Sequence, residues 1–237
     1  LKFMSDNQVD TQYIKKITGS TIGLYLISLA NGERTFSYWR NNSAATFLGQ
    51  NADDVENAMK KQDMIYFSGI TLAILDQNSR KNLFSCLKSA RRAGKKIAFD
   101  PNLRPKLWND KKEMCDVIMA GANLSDIILP SFEDEATWFS DADPMSTLAR
   151  YQNVGAETVV VKNAGDPVSF WSQHGTGTYL VESVEKIIDS TAAGDSFNAE
   201  ILVGLLREIP LADAINNAAN LAKKVLMGQG ALVKISI

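Results

Sequence analysis

Residues 189–200 read DSTAAGDSFNAE, and from residue 197 onward FNAEILVGLL carries the apolar spacing of a helix. The start of that helix is built from its smallest residues, Ala192, Ala193 and Gly194, with one carboxylate, Asp195, directly behind them. A helix N-terminus offers unpaired N–H groups and a partial positive charge, so it binds phosphate or another oxyanion. Small side chains let such a ligand approach the backbone. Asp195 then has two readings. It is either an N-cap, or a base that takes the proton of a hydroxyl attacking a phosphoryl group while the helix mouth stabilises the transferred charge.

Working outward, short apolar strands alternate with amphipathic helices from Asp53 onward. The expected strands are MIYFSGI (64–70), KKIAFD (95–100), DIILP (126–130) and ETVVVK (157–162). Between and after them, SRKNLFSCLKSARRAG (79–94), KEMCDVIMAGA (112–122), FEDEATWF (132–139), SFNAEILVGLLRE (196–208) and LADAINNAANLAKKVL (211–226) read as helices. This alternation predicts βαβ units and a doubly wound α/β domain with a mostly parallel sheet. VSFWSQHGTGTYLVE (168–182) reads as a hairpin. Nearer the start, TIGLYLISLA and RTFSYWR flank Asn31-Gly32, a hairpin turn signal, and form a small β appendage. The opening LKFMSDNQVD reads as the tail of a helix already under way, so the chain is expected to begin inside a larger protein.

In open α/β sheets ligands bind at the carboxyl ends of the strands, which makes the residues just after each strand the suspects. FDPNLRPKLW follows one strand end; Pro101 and Pro105 hold Arg104 in a rigid loop, for a ligand or for an ordinary salt bridge. In SYWR, Tyr38 and Arg40 are two apart and share a face that suits a polar anion, or simply keeps an edge strand soluble. PSFEDEATWF places Ser131 and acidic residues in a helix's first turn, either as a capping arrangement or with Glu135 near a magnesium ion. Lys162 ends the strand TVVV, and Gly165 permits a tight turn after it; the ammonium faces either phosphate or solvent.

Bulk properties narrow the classes. The 237 residues carry a net charge of −2, with no basic footprint for nucleic acid. No apolar run reaches the roughly 18 residues of a membrane span, and no secretory leader is visible. Cys86 and Cys115 are expected to be reduced, in a cytoplasmic protein. His174, the only histidine, sits in a turn-like HGTG, so catalysis must run on carboxylates, hydroxyls, Lys or Arg. Neither a Walker A loop, nor GxGxxG, nor a protein-kinase signature is present.

DSTAAGDSFNAE resembles the second signature of the PfkB (ribokinase-like) carbohydrate kinases, D-T-x-x-G-D-x-F, matched by Asp189, Gly194, Asp195 and Phe197. Within that family GERTFSYWRNNSAA, YFSGITLAIL, FDPNLRPKLW and LPSFEDEATWF are similar to the 2-dehydro-3-deoxygluconate (KDG) kinases. The resemblance implies a ribokinase-like fold: residues 1–20 a partial helix and connection, 21–42 the hairpin of a small β-sheet lid, and 43–237 the nucleotide-binding and catalytic domain. By the same resemblance, the family's N-terminal strands are expected to be missing from the chain.

The same resemblance implies ATP-dependent, Mg²⁺-assisted phosphorylation of the 6-hydroxyl of KDG. Asp195 would be the base, the backbone N–H groups of Ala193, Gly194 and Asp195 the anion hole, and Ala192 part of the same catalytic stretch. Tyr25, Tyr38, Arg40, Ile70 and Arg104 would contact substrate, Glu135 would act on the metal through water, and Ser131, Lys162 and Gly165 would lie by the nucleotide. The lid often also carries dimer contacts in the family, implying a homo-oligomer. Two rigidly held arginines argue separately for an acid substrate, since a neutral hexose needs no cation away from the phosphates. The alternatives are another PfkB kinase, such as a fructokinase or ribokinase, and a non-catalytic sugar- or nucleotide-binding relative. Glu200 stands where SFNAG is usual, and if buried it would need a partner.

Overall fold

The computed structural model describes residues 1–30 and 33–235, the side chains of 27–36 excepted, so the Asn31-Gly32 turn lies outside the described residues. They form two compact units, residues 1–65 with 71–95, and residues 66–70 with 96–237. The sequence suggested a boundary after residue 42 instead; residues 43–65 and 71–95 group with the hairpin.

The first unit opens with a short helix, α1 (Lys2–Asp6), none of whose residues is buried. Strands β1 (Leu24–Ala30) and β2 (Glu33–Trp39) then pair antiparallel, with Leu24 opposite Trp39 and Tyr25 opposite Tyr38. Helix α2 (Ala52–Met59) starts at Asn51, whose side chain accepts the Asp53 N–H at 3.0 Å. The chain crosses to the second unit along β3 (Met64–Ser68) and returns along α3 (Gly69–Ile74). In α4 (Gln77–Arg92), Ser79, Leu83, Cys86, Leu87 and Ala90 are buried at helical spacing. Asp76 caps it, accepting the Ser79 N–H at 2.8 Å. Gly94 ends it in the left-handed region at φ 84°, with the Lys95 N–H turned back to the Ala90 carbonyl at 3.1 Å.

The second unit continues through β4 (Lys96–Asp100), α5 (Lys111–Ala122), β5 (Ile127–Ile128), α6 (Phe132–Phe139), α7 (Pro144–Asn153) and β6 (Thr158–Val161). It closes with β7 (Val168–Ser172), β8 (Gly175–Tyr179), α8 (Ala193–Leu206) and α9 (Leu211–Leu226). One six-stranded sheet runs in the order β3-β4-β5-β6-β7-β8. Strands β4, β5 and β6 are parallel; β7 and β8 are added antiparallel. Ile97, Ala98, Phe99, Ile128, Val159, Val160 and Val161 have no solvent exposure, which is why these strands read as continuous apolar runs rather than alternating ones.

Two elements differ from the sequence reading. The run MIYFSGI stops being a strand at Ser68, because Gly69 opens α3. A Cβ on Gly69 would stand 1.9 Å from the Pro101 carbonyl oxygen, so only glycine allows this close approach. Helix α7 was not anticipated, although its start carries the signal: Asp143 caps the Ser146 N–H at 2.7 Å and Pro144 follows at the first helical position. Cys86 and Cys115 are free thiols. Among the described residues no helix is long and apolar enough to cross a membrane.

Candidate active site

The mouth of α8 is shaped by Asp189. One of its carboxylate oxygens accepts the Thr191 N–H at 2.9 Å and the Thr191 hydroxyl at 2.7 Å; the other accepts the Gly230 N–H at 3.0 Å. The resulting turn throws Ala192 into the left-handed region at φ 63°, an uncommon conformation for a residue with a Cβ. The helix begins one residue later. The Ala193 N–H points to the Ser190 carbonyl at 3.4 Å, and the Ser196 N–H to that of Ala192 at 2.9 Å. The amides of Gly194 and Asp195 have no acceptor among the described residues.

A Cβ on Gly194 would meet nothing within 4 Å, and Gly194 and Asp195 are both exposed, so the backbone here is open to approach. Ala192 holds the capping position, and Asp195 lies in the first turn, exposed. Its carboxylate accepts no hydrogen bond and joins no ion pair among the described residues. The N-cap alternative therefore falls, and a free carboxylate stands beside two unpaired amides.

Asp100, at the end of β4, is the hub of a second cluster. Its Oδ2 accepts the Asn198 Nδ2–H at 2.9 Å, and the Asn102 amide and Tyr66 hydroxyl approach the same oxygen at 3.4 and 3.5 Å. The Lys162 ammonium lies 3.6 Å from Oδ1. That ammonium donates to the Leu129 carbonyl at 2.6 Å and to Asn198 Oδ1 at 2.8 Å. The resemblance put Lys162 beside the nucleotide, but its charge is turned inward and engaged by protein acceptors. Burial pushes the Tyr66 phenol well above its ordinary range, with the negative charges of Asp100 and Asp195 adding to it.

The loop after Asp100 carries Arg104, whose side chain is 44% exposed. Its Nη1 donates to the Leu103 carbonyl at 2.8 Å and lies 3.7 Å from Asp134 Oδ2, too long for a bidentate pair. Most of its fork remains open. Desolvation raises the Asp134 carboxyl above its ordinary range, against the pull of Arg104. Ile70 sits at the start of α3, directly after the Gly69 that touches this loop. In the first unit, the Tyr25 and Tyr38 rings lie 6.4 Å apart and the Arg40 guanidinium covers Tyr38 at 4.3 Å. Tyr38 and Arg40 do share a face, and Tyr25 joins them across the strand pair.

Glu135 requires a correction. It has no solvent exposure; Arg150 Nη2 donates to it at 2.6 Å and the Tyr151 hydroxyl lies 3.0 Å from both of its oxygens. A carboxylate with both oxygens engaged and no open face does not fit the role of a metal ligand, directly or through water. No group of three His, Cys, Asp or Glu side chains among the described residues is placed to hold a metal ion.

Ser131 stands at the N-cap of α6, yet its hydroxyl makes no capping bond. Its neighbourhood is set by the backbone, where the Phe132 N–H reaches the Lys162 carbonyl at 2.8 Å and extends the β5–β6 pairing. In the turn after Lys162 the left-handed residue is Ala164, at φ 47°; Gly165 is not the residue that needs glycine there, and a Cβ on it would meet open space. Glu200 is half-buried, so it needs no buried partner.

Asn198, Asp100, Tyr66 and Asp134 were missed by sequence reasoning. The clearest signal was Asn198, a lone amide within the apolar run FNAEILVGLL, in phase with the buried Phe197 and Ile201.

A family model described as pfkB family carbohydrate kinase matches residues 1–235. The chain is 36% identical, over 100% of its own length and 77% of the relative's, to a Haemophilus influenzae protein named 2-dehydro-3-deoxygluconokinase. An Escherichia coli protein of the same name is also 36% identical, over 95% of this chain and 75% of that protein. Among solved structures, the fructokinase with bound ATP from Xylella fastidiosa superposes with a TM-score of 0.81 at 22% identity, covering 97% of this chain and 75% of that one. That last likeness speaks for the fold alone.

Proposed function

Because the chain belongs to the pfkB family of carbohydrate kinases, we propose that it transfers the γ-phosphoryl group of ATP to the 6-hydroxyl of 2-dehydro-3-deoxygluconate. The observation that carries the reading is the free Asp195 carboxylate beside the unpaired amides of Gly194 and Asp195 at an open helix mouth. In the reaction Asp195 takes the hydroxyl proton as the alcohol oxygen attacks the γ-phosphorus. The bond from that phosphorus to the β–γ bridging oxygen breaks, and ADP leaves. The amides and the α8 dipole stabilise the negative charge on the phosphoryl oxygens in flight. Two relatives named 2-dehydro-3-deoxygluconokinase support the choice of sugar acid.

Arg104, largely open and held by its proline-bounded loop, is assigned to the substrate carboxylate, and Ile70 to the substrate as the resemblance implies. The resemblance assigns Tyr25, Tyr38 and Arg40 to the substrate as well. Ser131, Lys162 and Gly165 are assigned to the nucleotide side, Lys162 as a residue that holds the strand ends rather than as a phosphate ligand. Magnesium is expected to arrive on the ATP phosphates, not on Glu135. The reaction is placed in the cytoplasm, where ATP is available. Leu24, Leu26 and Trp39 leave one face of the hairpin apolar and exposed, and a lone two-stranded hairpin is marginal in water. This supports a homo-oligomer formed through that face.

A coupled ADP-release assay with KDG, fructose and ribose tests the reading. KDG is expected to be turned over with the highest kcat/KM. Faster turnover of fructose or ribose sinks the sugar-acid assignment.

A further inference from the structure

Asn198 is 1% exposed, deep in the second turn of α8, and its side-chain amide is engaged at both ends. Its Oδ1 accepts the Lys162 ammonium at 2.8 Å and its Nδ2 donates to Asp100 Oδ2 at 2.9 Å. Chemistry fixes this orientation, because an ammonium can only donate and a carboxylate can only accept. Reversing the amide would set its NH2 against an ammonium and its carbonyl against a carboxylate. The same Nδ2 lies 3.4 Å from the Tyr66 hydroxyl.

The partners of this one amide come from the ends of parallel strands. Asp100 ends β4 and Lys162 directly follows β6; Leu129, which directly follows β5, takes the Lys162 ammonium at 2.6 Å. Asn198 stands three residues beyond Asp195 on the same helix, less than one turn away. A clamp at residue 198 therefore fixes both the rotation of α8 and its advance along its axis.

We propose that Asn198 is a positioning residue: bridged between Lys162 and Asp100, it locks the first turns of α8 to the strand ends and so aims the Gly194 and Asp195 amides and the Asp195 carboxylate. This rests on the kinase reading above. Asn198 touches neither nucleotide nor sugar; its effect reaches the reaction through the placement of the helix mouth, where a shift on the order of 1 Å costs about a hundredfold in rate.

A charge swap tests it. N198D sets a second carboxylate against Asp100 and removes the donor between them. Adding D100N restores one donor, one carboxylate and one ammonium with the polarity reversed. Each protein is assayed well below its melting temperature, on whichever of KDG, fructose or ribose the wild type phosphorylates.

N198D is expected to lose about ten- to a hundredfold in kcat with KM for ATP nearly unchanged, and N198D/D100N to recover most of that loss. A merely structural amide would lower the melting temperature and leave kcat alone; that result, or a loss that the swap fails to recover, overturns the proposal. If N198D does not fold, N198A carries the kcat comparison, since it removes the bridge without adding charge. If the wild type phosphorylates none of the three sugars, the kinase reading fails instead. Crystal structures of the wild type and N198A then decide the clamp. A first turn of α8 displaced by about half an ångström or more supports it, and an unmoved turn overturns it.

Discussion

The Glu135 carboxylate lies 2.6 Å from Nη2 of Arg150, with no route to solvent, and the same guanidinium nitrogen lies 2.5 Å from Asp141. One arginine on α7 thus ties the first turn of α6 to the segment that follows that helix. Asp134, the preceding residue, accordingly faces the Arg104 loop while Glu135 faces inward. Neighbouring acids on one helix are thereby separated into a structural role and a position at the candidate site.

Burial pushes the Glu135 carboxyl up to about 7 from an ordinary value of 4.5, against the opposing pull of Arg150. The folded protein therefore holds this proton more tightly than the unfolded chain. Its contribution to stability is fully present below about pH 4.5 and is lost as the pH rises to about 7. Glu135→Gln has no such titration. Urea unfolding of both proteins at several pH values should show wild-type stability falling relative to the variant across that window, by on the order of 2–3 kcal/mol. A difference that stays flat with pH would remove the raised carboxyl.

Replacing the proposed base separates chemistry from binding. Asp195→Asn keeps the shape of the helix mouth and its open amides but cannot accept the hydroxyl proton. Turnover is expected to fall by about 10²–10⁴-fold, the usual range for a positioned general base, while calorimetry still detects ATP binding. Retained turnover would exclude Asp195 from proton transfer.

The parallel strands and the α8 mouth were legible because each carries a local signal: buried apolar runs for β4 and β6, small residues before a carboxylate for the helix start. What was not legible depends on contacts across the chain. Glu133, Asp134 and Glu135 look alike in sequence, and only the distant Arg150 and Tyr151 decide which of them is buried. Lys162 reads as a phosphate ligand until Asn198 and the Leu129 carbonyl occupy its ammonium. Gly165 looked like the residue that makes its turn possible, while the backbone put the positive φ on Ala164.

Arg104 should control the choice of an acid over a neutral sugar. Arg104→Gln removes the charge and leaves the loop to its two prolines. KM for KDG is expected to rise about ten- to a hundredfold, the worth of a charged hydrogen bond, while KM for ATP stays within error. Steady-state kinetics with both substrates varied gives the answer. An unchanged KM for KDG would leave Arg104 with no substrate role.

Gly194 offers the sharpest separation of stability from activity. It lies inside α8 without a positive φ, and a Cβ built on it meets nothing within 4 Å. Alanine there introduces no clash and is the better helix former, by about 0.5–1 kcal/mol. Gly194→Ala should therefore melt at a higher temperature, by a few degrees for a chain of this size. The added methyl stands beside the unpaired amides, where the proposed reaction would bring a phosphoryl group to the backbone. Turnover should drop by about tenfold or more, since losing one donor of an oxyanion site costs a few kcal/mol. Calorimetry and the ADP-release assay on the same preparation measure both effects. A variant that is more stable and fully active would mean that the reacting phosphoryl group does not pass over Gly194.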